Sequence, residues 1–146
     1  MEKDWKEQLS PDEYYVCRKK GTEPAFSGEY DKFYEPGIYL CKCCKLELFS
    51  SNNKYDSGSG WPSFWDPINH NNIKKIEDFS HGMSRIEVRC SNCDSHLGHV
   101  FDDGPNPTKK RYCINSLSLI FKKSSLHIKY ILLYIYIFLC RGYFFG

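Results

Sequence analysis

The sequence predicts a mainly β domain with a short helix near its N-terminus. From Gly21 onward no helical period persists, and Gly, Pro, Asn and Asp recur every few residues between short alternating runs. The stretch Ser10-Pro11-Asp12-Glu13 has the form of a capping box with proline at the first helical position, so a helix should begin there. A chain of 146 residues is long enough for one domain with its own core.

Residues 84–90, SRIEVRC, have the period of two that is typical of a half-buried strand. Ile86 and Val88 should face the core and the charged residues between them the solvent, with Cys90 at the strand's end. A weaker pattern predicts a short helix at residues 73–79.

The distribution of charge and the N-terminal residues bear on the partners and the cellular compartment of the protein. The net charge is +2 and the charged residues are interspersed, so the electrostatic footprint of a nucleic-acid-binding protein is missing from the sequence. The first residues have the pattern of neither a secretory signal nor a transit peptide, so we expect the protein in the reducing cytoplasm or nucleus. We also expect it to be a monomer. There, eight cysteines favour metal binding or catalysis over structural disulfides.

The C-terminal residues differ sharply in composition from the rest. We therefore predict a domain at 1–121 and an atypical hydrophobic tail at 122–146. The tail's apolar part, 130–140, is shorter than the roughly 20 residues that cross a bilayer. The tail is interpreted as an extra strand packed on the domain, as an alternative C-terminus without an evolved role, or as a membrane anchor flanked by Lys129 and Arg141.

Two C-x-x-C pairs predict a metal site. Cys41 and Cys44 form the first pair, and Cys90 and Cys93 the second. Four thiolates suit a closed tetrahedral Zn²⁺ site, so one structural zinc would tie two distant parts of the chain together. The alternative is that one or both pairs are buried or redox-active thiols. Cys43 is left without a ligand role, because its spacing from Cys41 is too short for an ordinary knuckle.

Cys113 belongs to neither pair. It lies in residues 111–121, RYCINSLSLIF, which predict one strand with Arg111, Cys113 and Asn115 on the same face. The guanidinium favours thiolate over thiol, and the amide can hydrogen-bond the sulfur or a substrate. The alternative is a buried strand cysteine.

Two further stretches favour a catalytic role for this thiol. HLGHVFDDGP supplies His96 and His99, and the loop KYDSGSGWPSFWDP supplies Trp61, Phe64 and Trp65. Each histidine taken singly is more often structural than catalytic. Together with a free cysteine and an aromatic loop, however, they can provide a nucleophile, a proton donor and an apolar wall.

These residues lie in motifs that resemble the B-type methionine-R-sulfoxide reductases. The three main blocks are YDSGSGWPSF, SHGMSRIEVRCSNCDSHLGHVFDDGP and RYCINS, and KGTEPAFSGEY and PGIYLCKCC are also similar. The similarity runs from about Leu9 to Phe121. It implies two antiparallel sheets pinned by zinc on the four paired cysteines, and a free or protein-bound methionine R-sulfoxide as substrate.

The implied substrate and the chemistry of these side chains together predict a mechanism. The Cys113 thiolate attacks the sulfoxide sulfur, with His99 as the first candidate proton donor and Trp61 as the wall that receives the S-methyl group. Methionine leaves, and the resulting sulfenic acid is reduced by thioredoxin or another thiol. The site residues assigned in this way are Cys113, His99, His96 and Asn115 for catalysis and Trp61, Phe64 and Arg111 for substrate binding.

The chain departs from one common family pattern at Ser59. Many members have a resolving cysteine there, in SGCGWPSF, and a serine cannot form the disulfide. Cys17, which follows the N-terminal helix, is the tentative substitute, ahead of Cys43 and Cys140. Direct reduction of the sulfenic acid by an external thiol is the equal alternative.

Two other interpretations stay open. A zinc-binding module could recognise a peptide or nucleic acid through the aromatic loop, but Cys113, His96 and His99 would then have no purpose. A catalytically impaired splice or fusion product is the second, since the tail replaces whatever follows Phe121 in the family.

Overall fold

The computed structural model describes residues 2–124 and 126–142. Within them the helices are α1 (Glu2–Gln8), α2 (Pro11–Lys19) and α3 (Leu126–Gly142). The strands are β1 (Gly37–Cys41), β2 (Glu47–Ser50), β3 (Lys54–Tyr55), β4 (Ser63–Phe64), β5 (Ile73–Asp78), β6 (Arg85–Cys90), β7 (His96–Phe101), β8 (Arg111–Ile114) and β9 (Leu119–Lys123).

The strands form two antiparallel sheets, which confirms the predicted fold class. The smaller sheet has the order β2-β1-β9, and the larger has the order β3-β4-β8-β7-β6-β5. The chain passes from the larger sheet to the smaller one between β8 and β9, through a 3₁₀ turn at Ser116–Ser118. The two sheets are therefore joined directly beside the strand that carries Cys113.

Helix α2 begins where the capping box predicts. The Ser10 hydroxyl accepts a hydrogen bond from the Glu13 amide at 3.2 Å, and the Glu13 carboxylate accepts one from the Ser10 amide at 2.9 Å. The helix ends at Lys19 and is capped by Lys20, which adopts a left-handed conformation with φ 60°. Val16 and Cys17 are the buried residues of the helix. Helix α1, which precedes it, was not predicted.

The helix predicted at residues 73–79 is wrong. Residues Ile73–Asp78 form β5, which pairs with β6 from Ile73 opposite Cys90 to Asp78 opposite Arg85. Pairing along the whole strand satisfies the backbone amides and carbonyls that a short, weakly patterned helix would satisfy less well. Tertiary context therefore overrides the local pattern.

Strand β6 confirms the predicted strand, but its burial differs from the prediction. Val88 is buried as expected, whereas Ile86 is 36% exposed and Glu87 is fully buried. Glu87 lies on the face of the strand that was expected to meet solvent, but His96 and Lys20 contact its carboxylate and cover it. Both faces of this strand are thus partly buried, and a simple alternation could not separate them.

The single strand predicted over residues 111–121 is also wrong. Strand β8 ends at Ile114, and β9 begins only at Leu119 in the other sheet. At the break, the backbone amide and the side-chain amide of Asn115 both donate to the Leu97 carbonyl at 2.9 Å. These bonds hold Asn115 at the edge of β7 while the chain turns away.

The core lies between the sheets and is rich in aromatic rings. Phe64 stacks on Phe49 with ring centroids 4.5 Å apart and meets Tyr39 edge-on at 5.1 Å. All three are fully buried. Burial of each such side chain contributes about 1.5–3 kcal/mol, and favourable ring geometry adds to this.

The tail contains a helix and not the extra strand that was one of its three interpretations. Residues 130–139 of α3 all have exposed apolar side chains. Among the residues that the structure describes, no helix combines the length and the apolar character needed to cross a membrane.

Strand β9 continues to Lys123, two residues beyond the predicted domain end at 121. Arg141 has no described side chain, and residues 143–146 lie outside the described part of the chain.

Candidate active site and metal site

Cys113 lies on a cavity formed by three neighbouring strands and the loop before β4. In the ladder it is opposite Ser63 of β4 and opposite His99 of β7. The cavity has a volume of about 280 Å³. It is lined by Thr22, Ser59, Trp61, Arg85, Gly98, His99, Phe101, Arg111, Cys113 and Asn115.

The Cys113 thiol is half-buried, with its sulfur 4.0 Å from the Ser59 hydroxyl. Burial raises the pKa of Cys113, and the nearby Arg111 guanidinium offsets this only in part. The sequence suggested that Arg111 would favour the thiolate. In the folded protein desolvation is the larger effect, so the resting group is a thiol at neutral pH.

Arg111 lies at the rim of the cavity, where an ion pair and a ring contact hold its side chain. Its Nε and Nη2 atoms donate to the two carboxylate oxygens of Asp103 at 2.9 and 3.1 Å. Its guanidinium also lies over the Phe101 ring, 4.3 Å from the centroid. Arg111 can therefore act on Cys113 through its charge without changing position.

His99 reaches the cavity and is paired behind it with a carboxylate that the sequence did not identify. Its Nε2 lies 2.7 Å from Oδ2 of Asp78, which is 3% exposed at the end of β5. Burial lowers the pKa of His99, against the opposing effect of Asp78. Although burial alone would raise it, hydrogen bonds from His99 and Ser80 hold the pKa of Asp78 well below its usual value.

His96 lies behind His99 and does not line the cavity. Its Nδ1 is 2.5 Å from Oε2 of Glu87, and its ring meets that of His99 at 5.6 Å, edge to face. Lys20 connects the two histidine–carboxylate pairs, since its Nζ is 3.1 Å from Asp78 and 3.6 Å from Glu87. The two histidines therefore occupy different environments, and only His99 can meet a ligand in the cavity.

Asn115 and Trp61 border the cavity and are both fixed through Glu23. The Glu23 amide donates to Oδ1 of Asn115 at 3.0 Å, and its carbonyl accepts from Nε1 of Trp61 at 3.0 Å. Because the indole N–H is engaged in this hydrogen bond, the rest of the Trp61 ring forms an apolar wall of the cavity. The loop can place this ring because Gly60 adopts a φ of 92°, a backbone conformation that residues other than glycine rarely adopt.

Phe64 and Cys17 were predicted for the site, but the structure does not bring them to the cavity. Phe64 is in the core, stacked on Phe49. Cys17 is 2% exposed on α2, with its sulfur 3.6 Å from the Leu117 carbonyl and 4.0 Å from the Ser118 hydroxyl. Its thiol therefore lies away from the cavity wall on which Cys113 is found.

The two C-x-x-C pairs converge as the metal prediction requires. The sulfur atoms of Cys41, Cys44, Cys90 and Cys93 all lie within 4.8 Å of one another. The Cys41–Cys93 and Cys44–Cys90 sulfur pairs are each 3.5 Å apart. A tetrahedral site with Zn–S bonds of about 2.3 Å needs sulfur separations of about 3.8 Å, so the cluster fits such an ion.

The cluster joins the two sheets. Cys41 ends β1 of the smaller sheet, and Cys90 ends β6 of the larger one. Each pair continues into a residue with positive φ, Lys45 at 68° and Asp94 at 66°, and each knuckle is closed by a backbone bond to its first cysteine. Cys43 lies beside the cluster, with its sulfur 3.7 Å from the Ser95 hydroxyl.

Comparison with known proteins agrees with this geometry. The family model described as the SelR domain matches residues 9–123. Relatives named peptide methionine sulfoxide reductase MsrB include one from Acinetobacter baylyi, 59% identical over 121 residues, which cover 83% of this chain and 87% of the relative. Another, from Thioalkalivibrio sulfidiphilus, is 61% identical over 117 residues, which cover 80% and 85%.

Among solved structures, the crystal structure of the Mis18 "Yippee-like" domain aligns with a TM-score of 0.48 and 18% identity, over 62% of this chain and 99% of that chain. The cavity with Cys113 and the four-cysteine cluster both lie inside the residues that the SelR model matches. The chain belongs to the SelR-domain family, the B-type methionine-R-sulfoxide reductases.

Proposed function

We propose that this protein reduces methionine R-sulfoxide, in proteins and as the free amino acid, to methionine. The observation that carries the proposal is the cavity in which the Cys113 thiol lies together with Trp61, His99 and Asn115. Its volume of about 280 Å³ suits the end of one side chain. The names of the relatives, all reductases of methionine sulfoxide in peptides, support the same reaction.

The reaction is a transfer of one oxygen atom. The deprotonated Cys113 sulfur attacks the sulfoxide sulfur, and the net result is that Cys113–SH and the sulfoxide give Cys113–SOH and methionine. By the end of the step the S–O bond of the substrate is broken and an S–O bond to Cys113 is formed. The cysteine sulfur loses two electrons and the substrate sulfur gains them. The thiol proton ends on the transferred oxygen, so the step needs no net gain or loss of protons.

His99 is the group we assign to that proton movement. The resting pair is a neutral imidazole and a thiol, because burial lowers the pKa of His99 and raises that of Cys113. Nε2 is engaged by Asp78, so Nδ1 is left to take the thiol proton and pass it to the sulfoxide oxygen. Asp78 would stabilise the transient imidazolium, as a buried carboxylate does in other catalytic histidine pairs.

Trp61 and Asn115 would place the substrate. The apolar ring face of Trp61 suits the S-methyl group and the positive charge that develops on sulfur. The Asn115 amide has a second N–H besides the one bonded to Leu97, and this donor could reach the sulfoxide oxygen. His96 and Glu87 would support His99 from behind.

For recycling, we propose that an external thiol acts directly on the sulfenic acid. A first thiol R–SH converts Cys113–SOH to Cys113–S–S–R and water, and a second thiol releases Cys113–SH and a disulfide. Thioredoxin, with two thiols, can supply both. Ser59 supports this route because the residue in contact with Cys113 lacks a thiol.

A resolving role for Cys17 stays the alternative prediction, and it requires α2 to move, since the thiol is buried against Leu117 and Ser118. Mass spectrometry after one turnover without reductant separates the two routes. A Cys17–Cys113 disulfide would support Cys17, whereas a persistent sulfenic acid would exclude it.

We also propose that the four-cysteine cluster holds one structural Zn²⁺. Four thiolates complete its tetrahedral coordination, so Cys41, Cys44, Cys90 and Cys93 would fix the two sheets and leave no position for substrate.

The enzyme assignment is tested with both epimers of methionine sulfoxide. Wild type and Cys113→Ser are incubated with each epimer and dithiothreitol, with Cys140→Ser as a control for thiol content. Turnover of the R epimer alone, lost only in Cys113→Ser, is expected. An inactive wild type or an active Cys113→Ser variant would overturn the proposal.

A further inference from the structure

Glu23 contacts three parts of the active site through three different groups. Its amide donates to Oδ1 of Asn115, and its carbonyl accepts from Nε1 of Trp61, both at 3.0 Å. Its carboxylate oxygen Oε1 accepts from the Leu117 amide at 2.9 Å. Thr22, the preceding residue, lines the cavity itself.

The carboxylate is the part of Glu23 that anchors the others. It is bonded to the 3₁₀ turn that follows Asn115, and Glu23 is only 2% exposed. Its second oxygen, Oε2, is so close to Gly28 that a Cβ there would lie 2.2 Å away, so the backbone at position 28 packs directly on the carboxylate. The peptide units on either side of Glu23 are thereby fixed against the turn.

We propose that Glu23 is a positioning residue of the reductase site, whose buried carboxylate holds the backbone that fixes the Trp61 ring and the Asn115 amide around Cys113. The inference rests on the proposed function for its kinetic readout. Glu23 comes from the segment between α2 and β1, from which Thr22 already lines the cavity, and it acts on the site without lining it.

The position of the carboxylate has a second consequence for the nucleophile. Burial is the main cause that raises the pKa of Cys113, and the negative charge of Glu23 adds to it, whereas Arg111 opposes it. Glu23 therefore adds to the effect of burial on Cys113, although burial also raises the pKa of the Glu23 carboxyl itself. This electrostatic effect depends on the charge of residue 23, while positioning depends on its hydrogen-bond acceptor.

Two substitutions separate these effects. Glu23→Ala removes both acceptor and charge, and we expect kcat/KM to fall by about tenfold or more, with a rise in KM, as the ring and the amide lose their support. In Glu23→Gln an amide oxygen can still accept from Leu117, so this variant should recover most of that loss. Its missing charge should shift the pH profile of Cys113 alkylation by iodoacetamide to lower pH.

The matched control is Glu13→Ala, which removes a carboxylate from the capping box and from an ion pair with Lys42 at 2.7 Å. It should lower the melting temperature without changing KM or the alkylation profile. Wild-type kinetics in a folded Glu23→Ala would overturn the positioning role. If Glu23→Ala does not fold, Glu23→Met takes its place, because it keeps the length of the side chain and lacks the carboxylate acceptor for the Leu117 amide. A raised KM in Glu23→Met that Glu23→Gln does not share supports the inference, and a wild-type KM in Glu23→Met overturns it. Alkylation needs no substrate, so a failed reductase assignment would appear separately, as an inactive wild type.

Discussion

The hydroxyl oxygen of Ser59 lies 4.0 Å from the sulfur of Cys113. Gly58 and Gly60 on either side have φ values of 74° and 92°, so the loop bends sharply and turns Ser59 toward the strand. The position at which many family members carry a resolving cysteine is thus in contact with the reactive thiol, but it offers only a hydroxyl. The side chain at position 59 therefore reaches the reactive thiol but supplies no second sulfur.

Ser59→Cys should therefore restore an internal route. We expect a disulfide between the introduced thiol and Cys113 after one turnover, detected as the loss of two hydrogens in the intact mass and as a crosslinked peptide. Thioredoxin-dependent turnover should rise several-fold. Ser57→Cys is the matched control, because the Ser57 hydroxyl bonds Ser63 at 2.6 Å and does not contact Cys113. Equal crosslinking in both variants would contradict the specific placement of Ser59.

Asp78→Asn should impair catalysis while leaving substrate binding nearly intact. The asparagine N–H would donate to Nε2 of His99 and move the imidazole proton to Nδ1, the nitrogen that must accept the thiol proton. We expect kcat to fall by about 100-fold or more, the usual contribution of a positioned acid–base group, with a smaller change in KM. Steady-state kinetics over a range of pH check this.

Glu87→Gln makes the same chemical change at the neighbouring pair, where His96 does not line the cavity. Its effect on kcat should be clearly smaller. If the two variants lose the same activity, the special role of the His99–Asp78 pair is refuted.

The pH at which Cys113 becomes reactive should depend on burial and on Arg111, which shift its pKa in opposite directions. Burial raises the pKa of Cys113 above that of a free thiol, so alkylation should reach half its maximal rate at a higher pH than for a free cysteine. Arg111 lowers this pKa, and Arg111→Gln should move the profile to still higher pH. Lys110→Gln, which removes an exposed charge paired with Asp102, should not. Mass spectrometry of the Cys113 peptide distinguishes this thiol from the others.

Removal of the metal should unfold the protein. Structural zinc contributes roughly 10–16 kcal/mol in small zinc-binding peptides, which matches or exceeds the total stability of about 5–15 kcal/mol of a typical domain. One zinc per chain should be found by elemental analysis, and a strong chelator should abolish the thermal transition followed by circular dichroism. Cys44→Ser should lose the metal, whereas Cys43→Ser should retain it. Metal loss in Cys43→Ser alone would refute the ligand set.

The parts of the protein predicted from sequence are those in which spacing along the chain carries the geometry. The cysteine pairs 41/44 and 90/93 could be predicted to lie together, because two pairs of the same spacing favour binding of one common ion. The capping box at Ser10 likewise contains both partners of its hydrogen bonds within four residues. The cavity residues Trp61, His99 and Cys113 were identified because each lies in a short sequence motif that resembles the family pattern.

The parts that were missed depend on contacts across strands. Asp78 reaches His99 only because β5 pairs with β6 and β6 pairs with β7, so that the end of β5 comes within hydrogen-bond distance of His99. The sequence pattern had assigned Asp78 to a helix. Glu87 had the alternation of a solvent-facing residue, and only the packing of His96 shows why it is buried. Phe64 is three positions from Trp61, but it lies in a strand and its side chain points into the core. No local pattern encodes these differences.

The protonated resting state of Cys113 bears on how long the enzyme survives in the conditions that create its substrate. Peroxide attacks thiolates far faster than thiols, and repeated attack leads to sulfinic and sulfonic acids that cannot be reversed by simple thiols. A cysteine kept neutral until a sulfoxide enters reacts slowly with the oxidant that damaged the methionine. The burial that raises the pKa of Cys113 should thus also slow the oxidation of the enzyme by peroxide.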